Sequence, residues 1–345
     1  MTVDVPSGRA TGDLPSPLIA TRKGSALHLQ LDRPTSLNAL NHAMVKALRA
    51  SIAAAQEMEG IATIVLSGNG DRAFSAGGDL KPLREDALGD GTYAMPFWAD
   101  LYGTVADISA SEIPVVSLFD GIVFGGGLGL AGNCQVRVAT ERCVAAMPET
   151  RIGFYPDTGG LSLLAGLAGE TGTYLGTCAQ SVGAADALAV GLVDHFVWHS
   201  DLPAFTEAIG VLGLEEALAA FASEPTDEPA LPAAWVDECF AGDDAAEILE
   251  RLRGHEHPDA VEAAELFASR SPAAVAVTLK GLRTVADLTL VEDLELELRI
   301  TDALRRSDDF VEGVRARVVD KDRDPSWVHT HVSEVDPAWV ESIVS

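Results

Sequence analysis

The stretch PVVSLFDGIVFGGGLGLAGNCQVRVATERCVAAMPETRIGFYPDTGG, residues 114–160, decides the fold. It reads as a strand, a glycine-rich turn, a short helix, a second strand and an acidic loop. Residues 115–119 are a short apolar run with β-branched side chains between Pro114 and Gly121, the pattern of a buried strand. Gly125, Gly126 and Gly127 follow. Three successive residues without Cβ let a ligand approach the backbone closely and meet its N–H groups. If a helix opens at Gly127, those groups sit at the positive end of its dipole, a place suited to a developing oxyanion. Glu149 and Asp157 come next, eight residues apart in a largely apolar segment.

Other readings of the same residues are weaker. A triple glycine is often no more than a tight turn, so it needs a second feature beside it. Residues 127–132 also match the dinucleotide pattern G-x-G-x-x-G. The next strand candidate, 135–139, begins three residues after Gly132, which is too soon for the crossover helix of a βαβ unit. No G-x-x-x-x-G-K-[ST] loop is present. Asp120 and the glycines interrupt the apolar run 113–132, which argues against a membrane span.

Working outward, residues 18–22 and 26–31 read as a hairpin with one buried face. Asn41 is a plausible N-cap for a helix running to about residue 59, and 61–66 is a buried strand. Residues 67–80 form a loop in which Ala76, Gly77 and Gly78 lack bulk and lead to Asp79. The plain role for Asp79 is a helix cap. Residues 82–91 read as a mobile surface segment, and 96–111 as a helix carrying Asp100. Short helices over 161–167 and 181–190 precede a strand at 191–197. The alternation over 60–197 indicates an α/β core, and from residue 202 the pattern is almost wholly helical. The expected organisation is a disordered lead-in (1–17), an α/β core with the active site (18–200) and a helical region (201–345).

The chain has 345 residues, 47% of them apolar, which is enough for one large domain or one domain with an appendage. A net charge of −28 argues against binding to nucleic acid or to an anionic membrane. Cys134, Cys143, Cys178 and Cys239 show no C-x-x-C spacing and read as reduced thiols of a cytoplasmic protein. The first 17 residues have acids and prolines but no apolar core, unlike a secretory signal. The pairs His255/His257 and His329/His331 do not match H-E-x-x-H, and no metal site is expected.

Two glycine loops, each after a buried strand, can each offer one backbone N–H, and two converging N–H groups make an oxyanion hole. No G-x-S-x-G elbow is present, and no cysteine lies in a nucleophile context. That leaves Glu149 and Asp157 for proton work, and burial would raise either one toward neutrality. From the residues alone, the chain reads as an enzyme that stabilises an enolate or tetrahedral oxyanion with one or two carboxylates.

The segments 37–40 (LNAL), 73–80 (AFSAGGDL), 114–129 and 147–160 resemble the enoyl-CoA hydratase/isomerase (crotonase) superfamily. The segment holding Asp157, Gly129, and the run from Asp309 to Trp327 resemble its 3-hydroxyisobutyryl-CoA hydrolase branch. The resemblance implies a crotonase-like core of stacked ββα turns with a helical C-terminal part. It implies an acyl-CoA thioester as substrate, with coenzyme A part of that substrate and no separate cofactor. It assigns the carbonyl oxygen to the N–H groups of Gly78 and Gly126, catalysis to Glu149 and Asp157, and substrate contacts to Ala76, Asp79, Gly125 and Asp100. Gly129 stands where hydratases carry one of two catalytic glutamates. Leu101 stands where the hydrolase branch has a second acid beside Asp100. A homo-oligomer is compatible with the superfamily. The alternatives are an enoyl-CoA hydratase or isomerase, and a CoA-ester-binding protein without turnover.

Overall fold

Residues 17–345 are described by a computed structural model. The chain divides into two compact units. The first runs up to Gly78, then takes Asp100–Ala145 and Val182–Pro229; the second takes Asp79–Ala99, Ala146–Ser181 and Ala230–Ser345. The expected lead-in lies outside the described residues, apart from Pro17.

The first unit is built on two sheets. The larger has the order β1 (Leu18–Lys23), β2 (Ala26–Leu31), β3 (Thr63–Gly68), β5 (Val115–Phe119), β7 (Val136–Ala139) and β10 (His195–Phe196). Only the β1–β2 hairpin is antiparallel, with Leu18 opposite Leu31; the other pairs are parallel. β3 and β5 are buried along almost every residue, which is why they read as continuous apolar runs rather than alternating ones. The helices Leu202–Leu212 and Leu214–Phe221 cover one face. Phe205, Ile209 and Ala217 pack there into one cluster with Val65, Val116, Leu118 and Val138.

The smaller sheet has the order β4 (Ala73–Ser75), β6 (Ile122–Phe124), β8 (Val144–Ala146) and β9 (Ser181–Val182). β4 and β6 run parallel and in contact. The chain therefore leaves both strands at the same end, and the two glycine loops emerge side by side. This pairing positions the candidate site, and β4 is too short to be seen in the sequence, where residues 67–80 read as one loop.

Asn38 anchors the first loop. It is 1% exposed, and its side-chain amide donates to the carbonyls of Ala73 (2.8 Å) and Asn69 (3.0 Å). Its own carbonyl accepts from the Ser75 hydroxyl (2.9 Å), whose oxygen accepts from the Gly77 N–H (3.2 Å). Asn38→Ala is expected to lower the unfolding free energy by about 2–3 kcal/mol, because buried carbonyls lose their donors; urea denaturation checks this.

The second unit is mostly helical, with longer irregular segments over 153–159 and 321–331. The α1 helix, His42–Gln56, lies in the first unit, with Asn41 capping Met44 N–H (2.9 Å) as expected. α2 is Leu80–Leu88 and α3 is Ala94–Ser109, with the unit boundary between Ala99 and Asp100. The expectation of a mobile surface segment over 82–91 is corrected by α2. Leu83 and Asp86 are buried there. The Asp86 carboxylate accepts the N–H groups of Tyr93 (2.6 Å) and Ala94 (3.2 Å), and Arg84 Nε donates to the Val311 carbonyl (2.9 Å). Polar anchoring of this kind leaves no hydrophobic period to read. The expected helix 181–190 is strand β9 followed by Ala184–Ala189, and the expected strand 191–197 shortens to β10.

Candidate active site

In the first unit, the loops after β4 and β6 approach each other closely. Gly77 has φ +92°, and a Cβ there would come within 2.9 Å of the Phe124 carbonyl oxygen and 3.4 Å of Gly126 N. A Cβ on Gly127 would meet the Ser75 Cβ at 2.7 Å. Glycine is thus required for the approach itself. Ala76 N–H donates to the Leu37 carbonyl and Leu40 N–H to the Gly77 carbonyl (2.9 and 2.8 Å); neither bond uses the Gly78 N–H. Gly126 opens the short helix α4, Gly126–Gly132. The N–H groups of its first turn have no carbonyl four residues back within the helix. The structure brings Ala76, Gly78, Gly125 and Gly126 into one neighbourhood. Asp79 occupies the N-cap position of α2 without a side-chain cap bond. Gly129 is buried in α4, and its N–H is taken by the Gly125 carbonyl (2.9 Å). The Asp100 carboxylate lies against α1, 2.6 Å from His42 Nε2, 3.6 Å from Arg49 and 4.0 Å from Lys46. Leu101 is buried.

In the second unit, Glu149 begins a single 3-10 turn, Glu149–Ile152, and is 6% exposed; Asp157 is 5% exposed. Asp157 Oδ2 accepts the Trp98 indole N–H at 3.0 Å. Trp98 stacks on Phe154 (ring centroids 5.5 Å apart), and both meet Phe310. This aromatic group supplies one donor, to Asp157, and otherwise dries the segment. Glu149 Oε2 is buried and has no hydrogen-bond partner among the described residues. Burial, then the nearby Asp157 charge, hold Glu149 well above the usual carboxylate range. Arg151 opposes this shift weakly; its guanidinium donates to the Ala179 carbonyl instead.

The turn after Asp157 is strained and clamped. Thr158 is fully buried at φ +66°, a conformation that β-branched residues rarely adopt. Gly159 follows at φ +73°. Glu297, on the helix Leu290–Leu304, accepts the N–H groups of Gly159 (2.7 Å) and Leu161 (3.2 Å). One turn earlier, Asp293 accepts Ser162 N–H (3.2 Å). Sequence reasoning missed Trp98, Asp293 and Glu297. The one available signal was two acids four residues apart on the buried stripe of an amphipathic helix.

Burial pushes Asp293 up to about 6 from an ordinary 3.8. The native state therefore keeps this proton to a higher pH than the unfolded chain, and stability falls as pH rises between those two values. Asp293→Asn should flatten the slope of unfolding free energy against pH in that window, as read by denaturant titration at several pH values.

Burial also pushes the thiols of Cys134, Cys143 and Cys178 up to about 12, which disfavours their thiolate, nucleophilic forms. Among the described residues no group of three His, Cys, Asp or Glu side chains is arranged to hold a metal ion. No helix among them is long and apolar enough to cross a membrane.

Paired glycine loops on parallel strands, a buried unpartnered glutamate and a helical second unit together define the class. The enoyl-CoA hydratase/isomerase family profile matches residues 26–344, and the chain belongs to that family, with a crotonase-like fold. It is similar to the rat protein named 3-hydroxyisobutyryl-CoA hydrolase, mitochondrial, at 33% identity over 330 residues, covering 92% of this chain and 86% of the relative. The chicken protein of the same name is 30% identical over 342 residues, covering 96% and 89%. Among solved structures, a carnitinyl-CoA dehydratase from Mycobacterium thermoresistibile superposes with a TM-score of 0.92 at 39% identity, covering 96% of this chain and 97% of that one. An enoyl-CoA hydratase from Rhodobacter sphaeroides 2.4.1 gives 0.86 at 34%, with the same coverage.

Proposed function

We propose that this protein hydrolyses acyl-CoA thioesters, with 3-hydroxyisobutyryl-CoA, an intermediate of valine breakdown, as the first substrate to test. The observation that carries this reading is the buried Glu149 carboxyl with one unpartnered oxygen, beside Asp157. A carboxyl raised toward neutrality is matched to taking a proton from water. The N–H groups of Gly78 and Gly126 polarise the thioester carbonyl, and negative charge develops on its oxygen as water adds to the carbon. Glu149 accepts the water proton. The C–S bond then breaks, and the proton passes to the departing CoA thiolate, which leaves a carboxylic acid and free CoA. The alternative route is attack by the Glu149 oxygen on the thioester carbon; the C–S bond breaks, CoA leaves as the thiolate and takes up a proton, and water then opens the resulting mixed anhydride to the acid and free Glu149. In a single turnover in labelled water, label in the Glu149 side chain marks the second route, with water attacking the Glu149 carbonyl carbon of the anhydride.

Gly129 supports hydrolysis over hydration. In hydratases two carboxylates hold one water for addition across a C=C bond, and at Gly129 there is no side chain to supply the second. The names of the two similar solved structures favour the hydratase reading instead. Thiol release from 3-hydroxyisobutyryl-CoA and 3-hydroxypropionyl-CoA, run beside crotonyl-CoA, decides between them. Release from the first two supports the hydrolase. Loss of enoyl absorbance from crotonyl-CoA without thiol release moves the protein to the hydratases. Binding without turnover leaves a CoA-ester-binding protein. The reading carries with it a cytoplasmic location and no cofactor beyond the substrate's own coenzyme A.

A further inference from the structure

We propose that Glu297 is a positioning residue for Asp157: it clamps the strained turn behind Asp157 and couples its own ionisation to that of the Asp157–Glu149 pair. The inference rests on the hydrolase reading for its kinetic consequence, but the coupling itself does not need a substrate.

The geometry is specific. Asp157 is held from two sides. In front, Trp98 N–H fixes the carboxylate at 3.0 Å. Behind, the two Glu297 oxygens take the N–H groups of Gly159 and Leu161. Tyr155, two residues before Asp157, donates its hydroxyl to the Glu297 carbonyl and lies 2.9 Å from the Thr301 hydroxyl. The helix Leu290–Leu304 thus grips the chain on both flanks of Asp157. Between the grips lies Thr158, left-handed and buried. Such a conformation persists only where the surroundings over-determine it.

The charge arrangement is equally specific. Glu297 and Asp293 are both fully buried, and no cation pairs with either among the described residues. The cations on the elements packed around them are engaged elsewhere. Lys280 pairs with Glu341 (2.7 Å), Arg283 with Glu170 (2.9 Å) and Asp243 (3.3 Å), and Arg305 with Asp302 (2.9 Å). Arg299 donates to the Glu295 carbonyl. The helix Gly160–Ala165 has no titratable side chain. What faces Glu297 is therefore Asp293 and Asp157, both acidic; burial first, then these two charges, hold Glu297 well above the usual carboxylate range. The N–H donors of Gly159 and Leu161 favour the ionised form and offset only part of that shift. The ionisations of Glu297 and of the Asp157–Glu149 pair therefore oppose each other, and each charge delays the other's appearance.

The test compares wild type, Glu297→Gln and Asp293→Asn in two ways. The first is the pH profile of thiol release. Gln keeps the size of the side chain, but its NH2 cannot accept the second N–H. Glu297→Gln is expected to lower kcat about tenfold with little change in KM. The acid limb should move to lower pH by about half a unit to one unit, since an acid whose ionisation opposes that of the pair is gone. Asp293→Asn leaves both clamp bonds in place and should move the limb the same way by less. The second readout is Trp98 emission against pH without substrate, taken as the difference between each protein and its Trp98→Phe counterpart. Its midpoint should fall in Glu297→Gln.

Superimposable profiles and Trp98 titrations in all three proteins would overturn the proposal, whatever the rates, and leave Glu297 a structural cap. A shifted Trp98 midpoint in a protein that releases no thiol overturns the hydrolase reading and upholds the coupling. If Glu297→Gln does not fold, Asp293→Asn decides by the same two readouts.

Discussion

Glu149→Gln is expected to lower kcat for thioester hydrolysis by about three orders of magnitude, within the range for loss of a general base. KM should change by no more than about threefold, because an amide of the same shape still fills the site. The Glu149 Oε2 atom is buried and has no hydrogen-bond partner among the described residues. A buried polar atom without a partner costs stability, and native chains seldom keep one without a use. Here that oxygen belongs to a carboxyl held well above its ordinary range by burial and by Asp157. Gln keeps the volume and cannot take a proton from water.

The same substitution separates chemistry from folding. A buried acid whose native value is raised keeps its proton to higher pH than the unfolded chain does. Stability therefore falls as pH rises from the unfolded carboxylate value toward the raised native one. Gln removes that loss, so the variant should unfold no earlier than wild type at neutral pH. A protein that is equally stable, binds the CoA ester by calorimetry and turns over about a thousandfold more slowly fixes Glu149 as the base. Unchanged kcat would sink the assignment.

Much of this site was legible before the structure because its requirements are local. Gly125 to Gly127 stand together where the two loops approach backbone to backbone, and a Cβ on Gly127 would come within 2.7 Å of Ser75. Glu149 and Asp157 stood out as charges in an apolar segment. The supports were not legible, for physical reasons. The three-residue strand β4 is shorter than any periodicity can reveal, yet its parallel pairing with β6 aligns the two loops. Asn38 looks like a turn residue, and its value lies in two long-range carbonyls. Trp98 and Glu297 lie 59 residues before and 140 residues after Asp157. One reads as core and the other as a solvated helix charge until the fold brings them to one carboxylate. For Asp100 the fold adds partners that the sequence did not show. Its sequence position suggested a substrate contact, and the fold sets it against His42, Lys46 and Arg49 on α1.

Gly77→Ala should lower kcat by at least about a hundredfold, the effect of losing one oxyanion donor. Two costs act together at this position. At φ +92° an L side chain is strained whatever the space around it. The added methyl would also stand 2.9 Å from the Phe124 carbonyl oxygen and 3.4 Å from Gly126 N. Both atoms are backbone and cannot rotate aside, so one of the two loops must move by several tenths of an ångström. Either movement shifts a proposed donor: Gly78 follows Gly77 in one loop, and Gly126 lies in the other. A stability loss of about 2–3 kcal/mol should accompany it, from strain and overpacking combined. Gly191→Ala supplies the comparison. It has φ +83°, with nothing within 4 Å of the added Cβ. It should lose about 1 kcal/mol from strain alone and keep its activity. If Gly77→Ala loses stability but turns over normally, the donors are not where the carbonyl oxygen binds. If it loses turnover far beyond its loss of stability, while Gly191→Ala loses only stability, then the close approach of the loops serves the oxyanion rather than the fold.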